Sequence, residues 1–566
     1  MNATQLLAHF DRLAEAPNAV PRLRRFILDL AVRGKLVEQD VKDEPAAELL
    51  KRIQVERMKL IKAGKFREGK APTNILGDLP TNQLPVNWSW VPFGATVNTH
   101  LGGGTPSKAN STYWNGEILW ASVKDVGKTK YLDSTIDRIT EAGLADSSSN
   151  LIEPGNLIVV TRMGLGKVSI NRVSVAINQD LRAFSLSSLM SIDYCYIYFK
   201  THGFEGSGLT VKGIKIEELL GITFPLPPLA EQHRIVAKVD ELMALCDQLE
   251  AAQQERERRR DRLAAASLQR LNQPAADTTP ETQREHARFH LHHLPRLTTR
   301  SEHIKAMRET ILNLAVRGLL VSQDATNEPA ATLLNEIENE KFQLLRLGSI
   351  PKNKTVACKA LLTFPIPALW QAVLLGDVCN LITSGSRGWA EFYAKSGPKF
   401  LRAQNIRFGR LRLDDIACVN PPAKSEGART QVQEGDLLIV ITGAGVTNPA
   451  LLDRDLGEAY VSQHVALVRP SNVALSRWLL LCLMAGPSGR DELVERAYGA
   501  GKPGLNLDNI RSLNTPIPPL TEQHRIVAKV DELMALCDQL EAQLTIIQAD
   551  SRHLLQAVLE AALAPV

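Results

Sequence analysis

Two stretches of the chain carry apolar residues at alternating three- and four-residue steps. In residues 231–251, Ile235, Val239, Leu242, Cys246 and Leu249 follow this spacing. Residues 522–542 repeat the same letters, EQHRIVAKVDELMALCDQLEA, 291 positions later. The second copy extends the pattern from Ile526, Val530, Leu533 and Cys537 through Leu540, Leu544, Ile547, Leu554 and Val558. A 3.5-residue apolar repeat predicts two long helices with a coiled-coil seam. Pro227-Pro228 and Pro518-Pro519 stop whatever precedes each helix. Glu231 then falls in a first turn, where the helix dipole favours an acid. In the first copy the seam fails at Gln253, Arg256 and Arg260, within a charge run from 255 to 262 that reads as a solvated face. From 231 to 271 such a rod is ~60 Å long.

A second repeat lies upstream of each helix. ILDLAVRG at 27–34 matches ILNLAVRG at 311–318, and Glu44-Pro-Ala-Ala47 matches Glu328-Pro-Ala-Ala331. Pro45 and Pro329 suit a first helical position, followed by Leu49, Leu50 and Ile53 or Leu333, Leu334 and Ile337. Between the repeats lie two mutually dissimilar regions, roughly 80–225 and 365–515. Each holds a short apolar run after a Gly turn, Leu157–Val160 and Leu437–Ile441, so one shared α/β fold is expected beneath divergent surfaces. The division expected is a helical segment at 1–70, a variable domain at 71–228 and a long helix at 229–271. A linker rich in Pro, Thr and His follows at 272–299. A helical segment at 300–364, a variable domain at 365–519 and a long helix at 520–566 complete it. The chain starts and stops where a second linker would lie, so a circular arrangement is expected, with the C-terminal helix beside the N-terminal segment.

The fold class expected is α+β: two α/β domains separated by two long antiparallel coiled-coil helices, related by a pseudo-twofold axis. A chain of 566 residues has room for several domains. Apolar content of 44% with 23% charged residues excludes whole-chain disorder. The net charge of +4 permits nucleic-acid binding without arguing for it, so partners must be read locally. The seven cysteines form no C-x-x-C pair, which argues against a disulfide framework or four-Cys zinc site and fits a reducing cytoplasm. Asp11 and Glu15 break any signal pattern, and the longest apolar run, 478–485, is short of a ~20-residue span. A soluble, cytoplasmic protein is expected.

Catalytic motifs are sparse. Gly164-Leu-Gly-Lys-Val-Ser169 lacks the first Gly and the hydroxyl after Lys that a phosphate-binding loop requires. Asn420-Pro-Pro-Ala423 has Ala where an adenine methyltransferase carries an aromatic, and reads as a turn. His290, His292 and His293 lie in the linker without metal-ligand spacing and read as an exposed tract. No metal and no cofactor is expected. His233 and His524, duplicated with their helices, read as packing or interface residues.

Nucleic-acid signals are stronger. Between 387 and 412 stand seven cations, Arg387, Lys395, Lys399, Arg402, Arg407, Arg410 and Arg412, against one acid, Glu391. Trp389, Phe392, Tyr393, Gln404 and Asn405 are interleaved. Arg and Lys suit guanine edges, Gln and Asn adenine edges, and the Ser384-Gly-Ser386 turn allows close approach to phosphate. In the first variable region, Gly102-Gly-Gly-Thr-Pro-Ser-Lys108 and Tyr113-Trp114 precede Lys124, Lys128 and Lys130. A solvated loop over core aromatics is the plain alternative for each patch alone; a patch in both halves favours binding.

This combination resembles the specificity subunit of type I restriction–modification systems over nearly the whole chain. The resemblance rests on two dissimilar domains, each followed by a repeated helix opening P-[LI]-P-P-L-x-E-Q. It rests also on Gly103-Gly-Thr-Pro-Ser107 with Tyr113-Trp114, and on Ser384-Gly-Ser-Arg-Gly-Trp389 with Phe400-Leu-Arg-Ala-Gln-Asn-Ile406. It implies a non-catalytic subunit that binds a bipartite, asymmetric double-stranded DNA sequence, one half per target-recognition domain. It further implies two modification subunits, which bind S-adenosylmethionine and methylate adenine, and restriction subunits that hydrolyse ATP and cleave DNA. The candidate DNA contacts are Thr105, Ser107, Lys108, Tyr113, Trp114, Lys124, Lys128 and Arg162, then Ser384, Ser386, Arg387, Trp389, Arg402, Gln404, Asn405 and Arg407. The candidate subunit contacts are Glu231, Gln232, His233 and Arg234, with Glu522, Gln523, His524 and Arg525. A fused methyltransferase or nuclease, and a coiled-coil scaffold without sequence readout, are the competing readings.

If the long helices set the distance between half-sites, four residues inserted near Glu255 lengthen the rod by ~6 Å and keep the apolar face nearly in register. At ~3.4 Å per base pair the unspecified gap should grow by about one or two pairs. Methylation mapping of the insertion variant checks this; an active variant with an unaltered gap removes the helices as the ruler.

Overall fold

The computed structural model describes residues 16, 18–64, 84–204, 213–273, 278–298, 300–351, 359–385, 387–421, 429–497 and 504–563. The chain divides into two units, Met1–Glu255 with Gln548–Val566, and Arg256–Ile547. Each unit holds the first part of one long helix and the last part of the other. The helices run Leu229–Asn272 and Leu520–Leu563.

In the first unit, helices Ala19–Val32 and Ala46–Lys62 come first. The second begins one residue after Pro45, with Glu48 in its first turn and Lys59 and Lys62 in its last, each sign matching the helix dipole. Ala46, Leu49 and Ile53 form its buried stripe. The chain enters the variable domain on Ser89–Pro92 and leaves it on Thr223–Leu226, and these strands pair antiparallel. Between them lies a five-stranded sheet in the order Val97–Gly102, Leu181–Leu186, Leu157–Val160, Val168–Asn171, Tyr131–Leu132. A four-stranded sheet is built around Trp114–Ala121, which runs parallel to Val175–Ile177. All four residues of Leu157–Val160 are buried, as the apolar run predicts. Phe93 packs edge-on against Phe184 and Phe199, 5.4 and 4.9 Å between ring centres. Each such buried ring contributes roughly 1.5–3 kcal/mol.

The second unit repeats the plan. Gln371–Leu374 pairs with Asn514–Ile517 at the base of its domain. Cys379–Ser384, Val465–Pro470, Leu437–Val440 and Pro449–Leu451 make one sheet, while Tyr393–Leu401 pairs antiparallel with Ala417–Val419 and parallel with Ala459–Val461. Mixed sheets, short helices and the two long helices shared between the units make the class α+β, as expected. Among the described residues no two cysteines form a disulfide.

The circular expectation has its counterpart inside each unit. Leu555 and Val558, from the end of the second long helix, pack on Ala16 and Ala19. In the second unit Leu268, from the end of the first long helix, packs with Ile304, Met307 and Ile311. Arg24 pairs with Asp247 and Glu250 at 2.6 and 2.7 Å, and Arg308 pairs with Asp538 and Glu541 at 2.6 and 2.8 Å. The seam residues Ile235, Val239, Cys246, Ile526, Val530, Leu533 and Cys537 are buried in their own unit's core, whereas Ile547 is exposed, contrary to the heptad reading.

Three expectations need correction. The stretch expected as a linker carries an 18-residue helix, Pro280–Leu297. Gln283, Ala287 and His290 form its buried stripe at helical spacing, and the polarity of two of them hides it from a hydrophobicity reading. His290 is thus buried, bonded to the Ser267 hydroxyl, instead of exposed. The charge run is not simply a solvated face: Asp261 pairs at 3.1 Å with Arg300, the residue just before the helix Ser301–Val316, and at 3.0 Å with His303 in its first turn.

The repeated helix opening is also reassigned. Glu231 accepts from the Trp88 indole N–H at 2.9 Å and from Gln39 Nε2 at 2.6 Å. Gln232 Oε1 accepts from the Ser191 amide at 2.9 Å, and its Nε2 donates to the Pro227 carbonyl at 3.0 Å. Glu522 meets Trp370 and Gln323 in the same way, at 3.1 and 2.6 Å, and Gln523 donates to Pro518 at 2.9 Å. All four side chains are buried rather than presented at the surface; Glu231, Gln232 and Glu522 are bonded within the fold, whereas Gln523 Oε1 has no hydrogen-bond partner among the described residues. Arg234 pairs with Asp43 at 2.6 Å; His233, His524 and Arg525 stay exposed.

Glu231→Ala should strand the Trp88 indole N–H in a dry site and cost about 1–3 kcal/mol. Glu231→Gln keeps an acceptor and should cost less. Equal losses of thermal stability in the two variants would remove this hydrogen bond as the cause. A pH dependence follows from His290, which burial pulls down to about 4. The unfolded ring protonates first as pH falls, so this contribution is complete above about 6.5 and is lost towards 4. Between pH 7 and 5 the wild-type melting temperature should fall more steeply than that of His290→Gln; parallel curves would acquit His290.

Candidate DNA interface

In the first domain, close backbone approach sets the geometry. Gly103 follows the strand Val97–Gly102, and a Cβ there would stand 1.8 Å from the Ile177 carbonyl oxygen. The Asn110 side chain caps the short helix Ser111–Tyr113 by accepting from the Thr112 amide at 3.1 Å. Trp114 opens the next strand, donates its indole N–H to the Ser107 carbonyl at 3.1 Å and packs edge-on to Trp120. That strand ends in a turn closed by Asp125, which accepts from the Ser122 amide and hydroxyl at 2.9 and 3.0 Å. The turn presents Lys124 to solvent.

Thr105, Lys108, Trp114 and Lys124 line one cleft of about 800 Å³. Met163, Gln179 and Asp180 line it too, and no motif in the sequence pointed to them. Thr105 donates to Gln179 Oε1 across the cleft. Ser107, Lys128 and Arg162 are exposed, and Tyr113 is half-buried beneath the loop. Lys130 is withdrawn from the patch by Asp193 at 3.0 Å. Burial opposes its charge, but Asp193 and Asp240 outweigh this and hold its pKa above the usual value.

In the second domain, Ser384 ends the strand Cys379–Ser384, and Ser386 lies outside the described residues. Arg387 and Arg407 are exposed. Trp389 is not available to DNA: it is 5% exposed and stacks on Phe400, with Tyr460 5.1 Å away. Burial and the neighbouring Glu458 push the Tyr460 hydroxyl up to about 12. Asn405 is likewise structural, with 1% exposure; its Oδ1 accepts from the Arg402 amide and its Nδ2 donates to the Arg412 and Asp415 carbonyls, each at 3.0 Å. Arg402 Nη2 donates to the Asp415 carbonyl at 3.1 Å, and exposed Gln404 donates to Asp415 Oδ2 at 2.8 Å. Asp414 takes Arg412 at 3.0 Å. Two acids just beyond the cationic run therefore engage part of it. Of the Asn420-Pro-Pro-Ala423 turn, only Asn420 and Pro421 are described.

The surviving exposed groups are ammonium, guanidinium, hydroxyl and carboxamide. Such groups bind phosphate oxygens and read base edges. Among the described residues no three His, Cys, Asp or Glu side chains group to hold a metal, and no helix is long and apolar enough to cross a membrane.

Residues 85–257 and 367–548 match the family model described as type I restriction modification DNA specificity domain. The chain is 28% identical to the type I restriction enzyme EcoEI specificity subunit of Escherichia coli, covering 96% of this chain and 94% of that one. Against the EcoAI specificity subunit of Escherichia coli the identity is 29%, again over 96% and 94%. A crystal structure of the HsdS subunit from Thermoanaerobacter tengcongensis aligns with a TM-score of 0.44 and 18% identity, over 86% of this chain and 98% of that one. With the family model matched once in each half, the chain belongs to the specificity subunits of type I restriction–modification systems.

Proposed function

We propose that the chain binds a bipartite, asymmetric double-stranded DNA sequence, one half-site per target-recognition domain. It positions two modification subunits and the restriction subunits on that sequence and catalyses no step itself. The observation that carries this reading is one scaffold used twice with different exposed side chains. Gly103 and Gly385 each sit against a strand carbonyl, Ile177 and Val461, while the exposed groups around them differ. Two different half-sites read in one docking geometry require this. The exposed His233 and His524 stand on identical helix openings, and they suit two copies of one partner. S-adenosylmethionine and ATP belong, on this reading, to the partner subunits, and the assembly works in the cytoplasm.

The full chain should select one two-part sequence from a pool of random duplexes, and its affinity should fall as salt rises, because cations displace counterions from phosphate. Arg387→Ala should weaken the half-site read by the second domain several-fold and leave the other half-site unchanged. Binding without sequence preference would favour a scaffold, and methyl transfer to DNA by the chain alone would favour a fused enzyme.

A further inference from the structure

Hydrogen-bond register aligns the two dissimilar domains residue by residue. Trp120 and Ala121 pair with Ala176 and Ile177; Phe400 and Leu401 pair with Tyr460 and Val461. Ala121 therefore corresponds to Leu401, and Ile177 to Val461. The next residues keep step: the Asn178 amide donates to the Ala121 carbonyl at 3.0 Å, and the Ser462 amide to Leu401 at 2.9 Å. On the other strand the Ser122 amide donates to the Asp125 carboxylate at 2.9 Å, and the Arg402 amide to the Asn405 side-chain oxygen at 3.0 Å. Both turns are closed by the side chain three residues on. Lys124 and Gln404 thus occupy the same turn position, and both are exposed.

The facing loop gives the same answer. One residue past Asn178 and Ser462 stand Gln179 and Gln463, both exposed. One further, the Asp180 carbonyl accepts from the Thr161 amide at 2.8 Å and the His464 carbonyl from the Ile441 amide at 2.9 Å. In the first domain Lys124 and Gln179 line the same cleft. The carboxyl or carboxamide that closes the turn keeps its role, while the side chain the turn presents changes from a cation to an amide. In the second domain Asp415 takes one Nε2 hydrogen of Gln404, which orients the amide and leaves its Oε1 and the other N–H for a ligand.

We propose that Lys124 and Gln404 are equivalent base-reading positions, each setting one base pair of its half-site. Lys124 donates to guanine N7 and O6; Gln404 makes the paired bonds to adenine N6 and N7. This rests on the DNA-recognition reading above.

The test exchanges the two side chains, Lys124→Gln in one full-length variant and Gln404→Lys in another, and selects duplexes from a random pool. Gln404→Lys should change one pair of the second domain's half-site from adenine to guanine, by about ten-fold in preference. Lys124→Gln should make the reverse change in the other half-site. In each variant the untouched half-site reports that the protein is folded. Gln404→Ala should lose preference at that pair and gain none. The inference is overturned if the wild type selects a sequence and the exchanged variants select the same one. It is overturned too if affinity changes uniformly over all sequences with a changed salt slope, which marks a phosphate contact. A wild type that selects no sequence overturns the DNA-recognition reading itself.

Discussion

Each long helix starts on a buried carboxylate that ties together three segments distant in sequence. Glu231 joins the loop at Gln39, the approach to the first domain at Trp88 and the opening of the helix itself; Glu522 does the same with Gln323 and Trp370. Burial pushes both carboxyl groups up, and the hydrogen bonds from the indole and the amide pull them back. A buried acid with both donors in place is tolerated, whereas removing one partner leaves a dry polar group unpaired. The recognition domain hangs from this point, because its incoming and outgoing strands pair directly beside it. The letter-for-letter repeat of the helix opening is thus explained first by a packing constraint inside each unit, and only its exposed members remain for a partner.

The clamp leaves the domains free to differ in what they present. Their interiors solve the same problem with different residues: Trp120 packs on Trp114, whereas Phe400 packs on Trp389. What stays fixed is backbone geometry, namely the glycine against a strand carbonyl and the turn closed by Asp125 or Asn405. A side chain on such a turn can be replaced at little cost to the fold, since its neighbours' hydrogen bonds hold the loop.

How much of this was legible in the sequence follows from where the information lay. The duplicated helices, their Pro-Pro stops and the buried strands Leu157–Val160 and Leu437–Val440 were readable because apolar spacing and exact repetition are local signals. The helix Pro280–Leu297 was not, since its inward stripe includes Gln283 and His290 and its composition resembles a linker. At the candidate interface, residue type alone misled twice. Trp389 and Asn405 have the chemistry of DNA contacts, but one fills a core and the other closes a turn. Gln179 was invisible for the opposite reason: an isolated Gln in a loop carries no pattern until the facing strand supplies its neighbours.

The same logic explains why counting charge overstated the second patch. Seven cations in 26 residues look like a binding surface, yet Asp414 and Asp415 stand immediately outside that window and engage Arg412, Arg402 and Gln404. These contacts lie at the surface, where solvent screens the Arg412–Asp414 pair and water competes for the rest, so they hold their partners weakly. A phosphate or base edge can compete for those groups, whereas it cannot compete for Asn405, whose amide is enclosed and bonded on both sides. Burial, more than residue type or charge count, therefore separates the groups that shape the loop from those that can leave it for a ligand.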